Sequence, residues 1–144
     1  MKVPYKFTFV VGAIFVLSAT VVSAGKYKTP VAPADYLAKT NPYSVDDLDE
    51  FKKATKKIYK GKCKKCHGSE GDGQGSGAED MDPMPTAFNA PGYLKGKKDG
   101  QLFWIIEKGS DGTEMSAFGP GSEANLSEEE IWKLITYIRS KFTN

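Results

Sequence analysis

The stretch Cys63-Lys64-Lys65-Cys66-His67-Gly68 decides how the rest of this chain is read. It holds both cysteines and the single histidine of a 144-residue protein. That scarcity excludes a disulfide-rich scaffold. It also excludes a structural zinc site, which needs four protein ligands where only three cysteine or histidine side chains exist. A histidine-dependent catalytic triad elsewhere in the chain is excluded on the same ground. A thioredoxin-like dithiol would need a preceding strand in a βαβ setting, and no run here alternates with period two. The chemistry is concentrated at one place.

Cys-x-x-Cys-His is the signature of covalent c-type haem attachment. Two thiols three positions apart in a helical turn both reach the vinyl groups along one side of a porphyrin. The next residue then presents its imidazole to the iron. The motif therefore predicts one haem c, held through Cys63 and Cys66, with His67 on the iron. The opposite face needs a sixth ligand or stays open. With no second histidine, methionine is the natural donor, and Met81, Met84 and Met115 are the candidates beyond the amino-terminal segment. Methionine also fills gaps in cores, so side-chain type alone leaves the choice open.

The first 24 residues read separately. Lys2 and Lys6 precede an uncharged apolar run from Phe7 to Val22, followed by Ser23, Ala24 and Gly25. A basic start, an apolar centre and a small-residue end describe a secretory signal cleaved after Ala24, or a retained membrane anchor through residues 7–24. Either reading puts the remainder outside the cytoplasm, in the periplasm or an equivalent space. Without Lys2 and Lys6 the 20 basic residues fall to 18, which equals the 18 acidic ones. An electroneutral mature chain gives no support to a nucleic-acid partner. Residues 25–44 carry Pro30, Pro33 and Pro42 without a helical or strand period, and read as a linker or a strap over the surface. The folded domain is expected over residues 45–144.

Three helices are predicted there. The first starts near Ser44 or Asp46 and runs to the cysteine motif, with Leu48, Phe51, Ala54, Thr55 and Ile58 facing inward. The second starts at Asp99 as cap and ends at Gly109, with Leu102, Ile105 and Ile106 inward. The third has Ser127 and Glu130 as a capping box, Leu126 with Ile131 as a hydrophobic staple, and a stripe of Ile131, Leu134, Ile135, Ile138 and Phe142. Three helices and long glycine- and proline-rich loops make a thin core, which a large apolar cofactor would complete.

From about Leu48 onward the chain resembles the class I monohaem c-type cytochromes of bacteria. The resemblance rests on Cys66-His67-Gly68 running into Gly71-Asp72-Gly73-Gln74-Gly75, on Gly112-Thr113-Glu114-Met115 followed by Ala117-Phe118, and on Leu126-Ser127 through Tyr137-Ile138. It implies an all-α, cytochrome c-like fold around one haem, with His67 and Met115 as axial ligands and thioether bonds from Cys63 and Cys66. It also implies a proline near the histidine, to which Pro83 or Pro85 corresponds. Ser116 departs from the family, where a proline commonly follows the methionine.

The function these readings predict is one-electron transfer between redox partners rather than enzyme catalysis, because no nucleophile, paired carboxylates or phosphate loop is present. A haem subunit of a larger membrane-associated respiratory or dehydrogenase complex is the alternative. An open-site haem enzyme or sensor is a third reading. Eight lysines between residues 52 and 65, with no acidic residue among them, offer a positive rim for an acidic partner, or equally a solvated helix face.

Overall fold

The computed structural model describes Met1 and residues 27–143, and the predicted signal or anchor segment lies outside the described residues. Among them every regular element is helical: α1 (Ala34–Leu37), α2 (Leu48–Ile58), a π-helical turn (Tyr59–Cys63), α3 (Lys64–His67), α4 (Asp99–Lys108) and α5 (Glu128–Phe142). The fold is all-α, as the periodicity and the resemblance predict.

Helices α2 and α5 pack across each other and carry most of the core. Helix α5 starts as its sequence dictates. The Ser127 hydroxyl accepts from the Glu130 backbone N–H, and the Glu130 carboxylate accepts from the Ser127 N–H. Leu126 and all five residues of the predicted stripe are buried, along with Trp132 and Tyr137. Burying a side chain of this size stabilises by roughly 1.5–3 kcal/mol each, which is what fixes the helix against its neighbours. Phe103 of α4 stacks on Trp132 at 4.2 Å, and Tyr59 meets both Tyr137 and Phe142 at ring distances of 5.8 and 5.3 Å. Arg139 joins α5 to the start of α4: its Nε bonds the Asp99 carboxylate at 2.7 Å, and its two terminal nitrogens donate to the Leu94 and Lys97 carbonyls at 2.6 Å.

The structure departs from the sequence expectations at three points. The first predicted helix reaches the motif without a break, but it starts at Leu48 rather than near Ser44 or Asp46 and is not regular throughout. Ser44 and Asp47 form a hydrogen-bonded turn ahead of α2, and the helix widens into the π turn before α3. The inner face of this segment is Leu48, Phe51, Thr55 and Tyr59, whereas Ala54 is exposed because it lies on the side of α2 turned from α5. Asp99 is the first residue of α4 rather than its cap, and Lys98 occupies the extended cap position.

Residues 27–44 include the short helix α1 and lie against α4. Gln101 is buried and bonds the strap twice, accepting from the Ala32 N–H at 2.9 Å and donating to the Pro30 carbonyl at 3.0 Å. Tyr36 donates to the buried Glu107 carboxylate at 2.6 Å. Gly100 makes this approach feasible, since a Cβ there would stand 1.8 Å from the Tyr36 carbonyl oxygen.

Candidate functional site

A cavity of about 240 Å³ opens between the motif, α4, α5 and the loop that follows α4. Its walls are mainly apolar: Leu102, Ile105 and Ile106 from α4, Leu134, Ile135 and Ile138 from α5, and Phe118. Cys63, Cys66, His67 and Met115 all line it, as do Met81 and Met84. The sequence-derived candidates are thus gathered around one space. Of the eight lysines of the basic segment only Lys62 reaches the cavity lining, while all eight are exposed.

Local backbone chemistry holds the motif in place. Helix α3 ends at Gly68, and the chain doubles back so that alternate glycines cap the carbonyls of the motif. The Gly73 N–H donates to the His67 carbonyl, Gly75 to Cys66 and Gly77 to Lys65, at 3.1, 3.0 and 2.8 Å. Helix-end carbonyls need external donors, and the donor segment runs too close to its neighbours for a side chain at Gly73 or Gly75. At Gly75 a Cβ would meet the Lys65 and Lys64 carbonyl oxygens at 2.2 and 2.6 Å, so only glycine fits. Behind the motif, Tyr59 is buried and its hydroxyl donates to the Gly68 carbonyl at 2.8 Å.

The His67 ring is oriented by the Thr86 carbonyl, 3.0 Å from Nδ1, and by Phe88, stacked at 4.3 Å. With a carbonyl as its partner, Nδ1 carries the proton and Nε2 keeps its lone pair. Burial pushes the imidazole pKa below its ordinary value, partly opposed by the Thr86 bond, which favours the neutral, ligating form. Neither Pro83 nor Pro85 supplies that acceptor, although both line the cavity beside Thr86. Burial pushes the Cys63 thiol up to about 12, with the neighbouring Cys66 adding to the shift, so it stays protonated.

Met115 sits in a loop knotted on Ser110. The Ser110 N–H donates to the Met115 carbonyl at 2.9 Å. The Ser110 carbonyl accepts from the Thr113 N–H and hydroxyl, and the Thr113 hydroxyl oxygen accepts from the Met115 N–H at 3.1 Å. Beyond it, the Phe118 and Gly119 N–H groups bond the Ile106 and Glu107 carbonyls, so the loop is anchored to the end of α4. Sequence reasoning missed Thr86, Phe88 and Tyr59. Thr86 acts through its main chain, which leaves no side-chain signal; Phe88 stands in a loop with no periodicity, whereas Tyr59 continues the Phe51–Thr55 spacing and could have been found from it.

A two-cysteine, one-histidine motif facing an apolar cavity is the arrangement of a c-type cytochrome domain, and the donors fit a covalently held haem. Residues 51–138 match the family described as cytochrome C oxidase, cbb3-type, subunit III, and the chain belongs to that family of c-type cytochrome domains. Membership implies a covalently bound haem c and a general role in electron transfer. Among solved structures, a chain of the Kuenenia stuttgartiensis reducing HAO-like protein complex is similar, with 26% identity and a TM-score of 0.56. The likeness covers 82% of this chain and 53% of that one, so the protein spans about half the length of this relative. No curated protein matches the sequence significantly. Among the described residues no helix is long and apolar enough to cross a membrane.

Proposed function

We propose that this protein carries single electrons between redox partners outside the cytoplasm, using one haem c anchored through Cys63 and Cys66 and ligated by His67 and Met115. The observation that carries the reading is that these four side chains line the same mainly apolar cavity. When bound, the haem supplies a ferrous/ferric couple. The chain's own part is to hold and insulate it. Cys63 and Cys66 would provide the thioether sulfurs, and Thr86 and Phe88 orient the ring of His67, which lines the cavity and has Nε2 free to ligate. The Ser110–Met115 loop presents a thioether sulfur, and α4 and α5 exclude water with aliphatic walls. If His67 and Met115 both held the iron, no position on it would remain for a substrate, which separates this reading from a haem enzyme or gas sensor. Lys62 and the exposed lysines of residues 52–65 furnish a positive surface for an acidic partner.

The test is the spectrum of the oxidised holoprotein. A weak methionine–iron band in the far red is expected, and Met115→Ala is expected to abolish it. A band that survives this substitution would remove Met115 as ligand and return Met81 and Met84 to consideration. The amino-terminal residue and mass of the mature protein check cleavage after Ala24 and a single covalent haem together. A second reading, a haem subunit of a larger complex, is favoured by the family description and by the relative being a chain of a complex. Native mass of the protein taken from its source distinguishes a free shuttle from a subunit.

A further inference from the structure

We propose that Tyr27 is a positioning residue for Met115, through which the amino-terminal strap latches the methionine loop closed over the cavity. The proposal rests on Met115 as the axial ligand. Tyr27 and Thr29 line the cavity together with Ser110, Thr113 and Met115. The Tyr27 hydroxyl donates to the Asp111 carbonyl at 3.2 Å and lies 2.7 Å from the Ser110 hydroxyl. A phenol has one proton, so with that proton on Asp111 the Ser110 hydroxyl is the donor to Tyr27. Both contacts grip the one residue on which the loop is knotted and its immediate neighbour. Ser110 bonds the Met115 carbonyl through its N–H and receives two bonds from Thr113.

A latch needs a fixed post. Tyr27 belongs to the segment whose Pro30 and Ala32 backbone groups are held by buried Gln101, and whose Tyr36 is held by Glu107. Gln101 and Glu107 both stand on α4, the helix that also supplies Leu102, Ile105 and Ile106 to the cavity wall. The loop is therefore tied twice to the same helix. One tie runs directly, through Phe118 and Gly119, and the other runs through the strap and Tyr27. For Met115 to swing off the iron, the Ser110–Met115 loop must open, and the Tyr27 contacts resist that opening. The basic and acidic groups near the loop do not enter the mechanism, because the latch consists of neutral hydroxyls and a carbonyl.

The experiment compares the full-length holoproteins of wild type, Tyr27→Phe, Ser110→Ala, the double variant and Met115→Ala. Carbon monoxide binding to the ferrous state is the main readout, since it requires Met115 to leave. The far-red band of the ferric state at neutral pH is the second. Tyr27→Phe removes two hydrogen bonds and keeps the ring, and is expected to raise carbon monoxide affinity about tenfold. Ser110→Ala removes one of these two bonds and is expected to give a smaller gain, and the double variant no more than Tyr27→Phe alone, because the Ser110 hydroxyl acts through its contact with Tyr27. Ser110→Thr, which keeps the hydroxyl, should return the wild-type affinity. Tyr27→Phe binding carbon monoxide like wild type, while Met115→Ala loses the band, would overturn the latch and leave the ligand assignment standing. Retention of the band in Met115→Ala would overturn both. A loss of thermal stability in Tyr27→Phe with unchanged carbon monoxide affinity would also overturn it, as a purely structural role.

Discussion

Gly100 offers the sharpest test of the strap. It lies in the first turn of α4, where replacing glycine by alanine ordinarily stabilises a helix by up to about 1 kcal/mol. Here the sign is expected to reverse. The new Cβ would stand 1.8 Å from the Tyr36 carbonyl oxygen, 2.8 Å from its carbon and 3.2 Å from the Lys39 carbonyl oxygen. Ordinary contact begins near 3.4 Å, so the strap must retreat by roughly 1.5 Å, far enough to break bonds that start at 2.6–3.0 Å. The bonds at risk are the two at Gln101 and the one from Tyr36 to Glu107. At about 1 kcal/mol each, less the gain in propensity, the net loss for Gly100→Ala is about 2 kcal/mol. It grows if Gln101 or Glu107 is left buried without a partner. Denaturant unfolding of the holoprotein measures this total, and hydrogen exchange of residues 30–37 locates it. A variant as stable as wild type, with the Ala32 and Leu37 amides still protected, would refute the claim that close packing of α1 on α4 holds the strap.

The remaining predictions concern other joints of the fold. The bond to Glu107 raises the Tyr36 pKa to about 12, with burial adding to it, so the protonated phenol is the stabilising form. Its contribution is complete below the ordinary tyrosine pKa near 10 and is lost as pH rises through about 12; unfolding curves between pH 9 and 12 should fall less steeply in Tyr36→Phe. Arg139→Lys cannot reach Asp99 and the Leu94 and Lys97 carbonyls at once, and should cost about 2 kcal/mol in the same unfolding assay. Gly75→Ala forces the glycine run off the Lys64 and Lys65 carbonyls; a loss of about 2–4 kcal/mol and a reduced covalently haem-loaded fraction by mass are expected. An unchanged loaded fraction would mean that the run only packs against the motif rather than shaping it.

Particular residues show which parts of the molecule the sequence made legible. Ser127, Glu130 and the stripe from Ile131 to Phe142 specify α5 almost completely, because capping chemistry and a strong apolar period agree. The motif was legible because two thiols and an imidazole at that spacing serve few purposes. The π turn was not, since a single wider turn changes the phase of a helix without altering its composition. The Thr86 acceptor was hidden because every residue has a carbonyl. Gln101 and Glu107 read as polar positions on a mainly apolar helix, and nothing local indicates that their partners are Pro30, Ala32 and Tyr36. Long-range pairing of that kind is decided by tertiary packing, which local sequence does not encode.

The glycine run capping the cysteine–histidine turn also has a bearing on the order in which the site assembles. Its bonds link residues close in the chain, Cys66 to Gly75 and His67 to Gly73, whereas the methionine loop must be brought back from Met115. Loop-closure entropy grows with the logarithm of length, so the short returns cost about 1.5 kcal/mol less than the long one. The turn bearing both thiols and the imidazole is therefore the part of the site that the nascent chain can shape by itself, from residues 63 to 77. The side of the cavity lined by Met115 waits for α4, the strap and the Ser110 loop to come together.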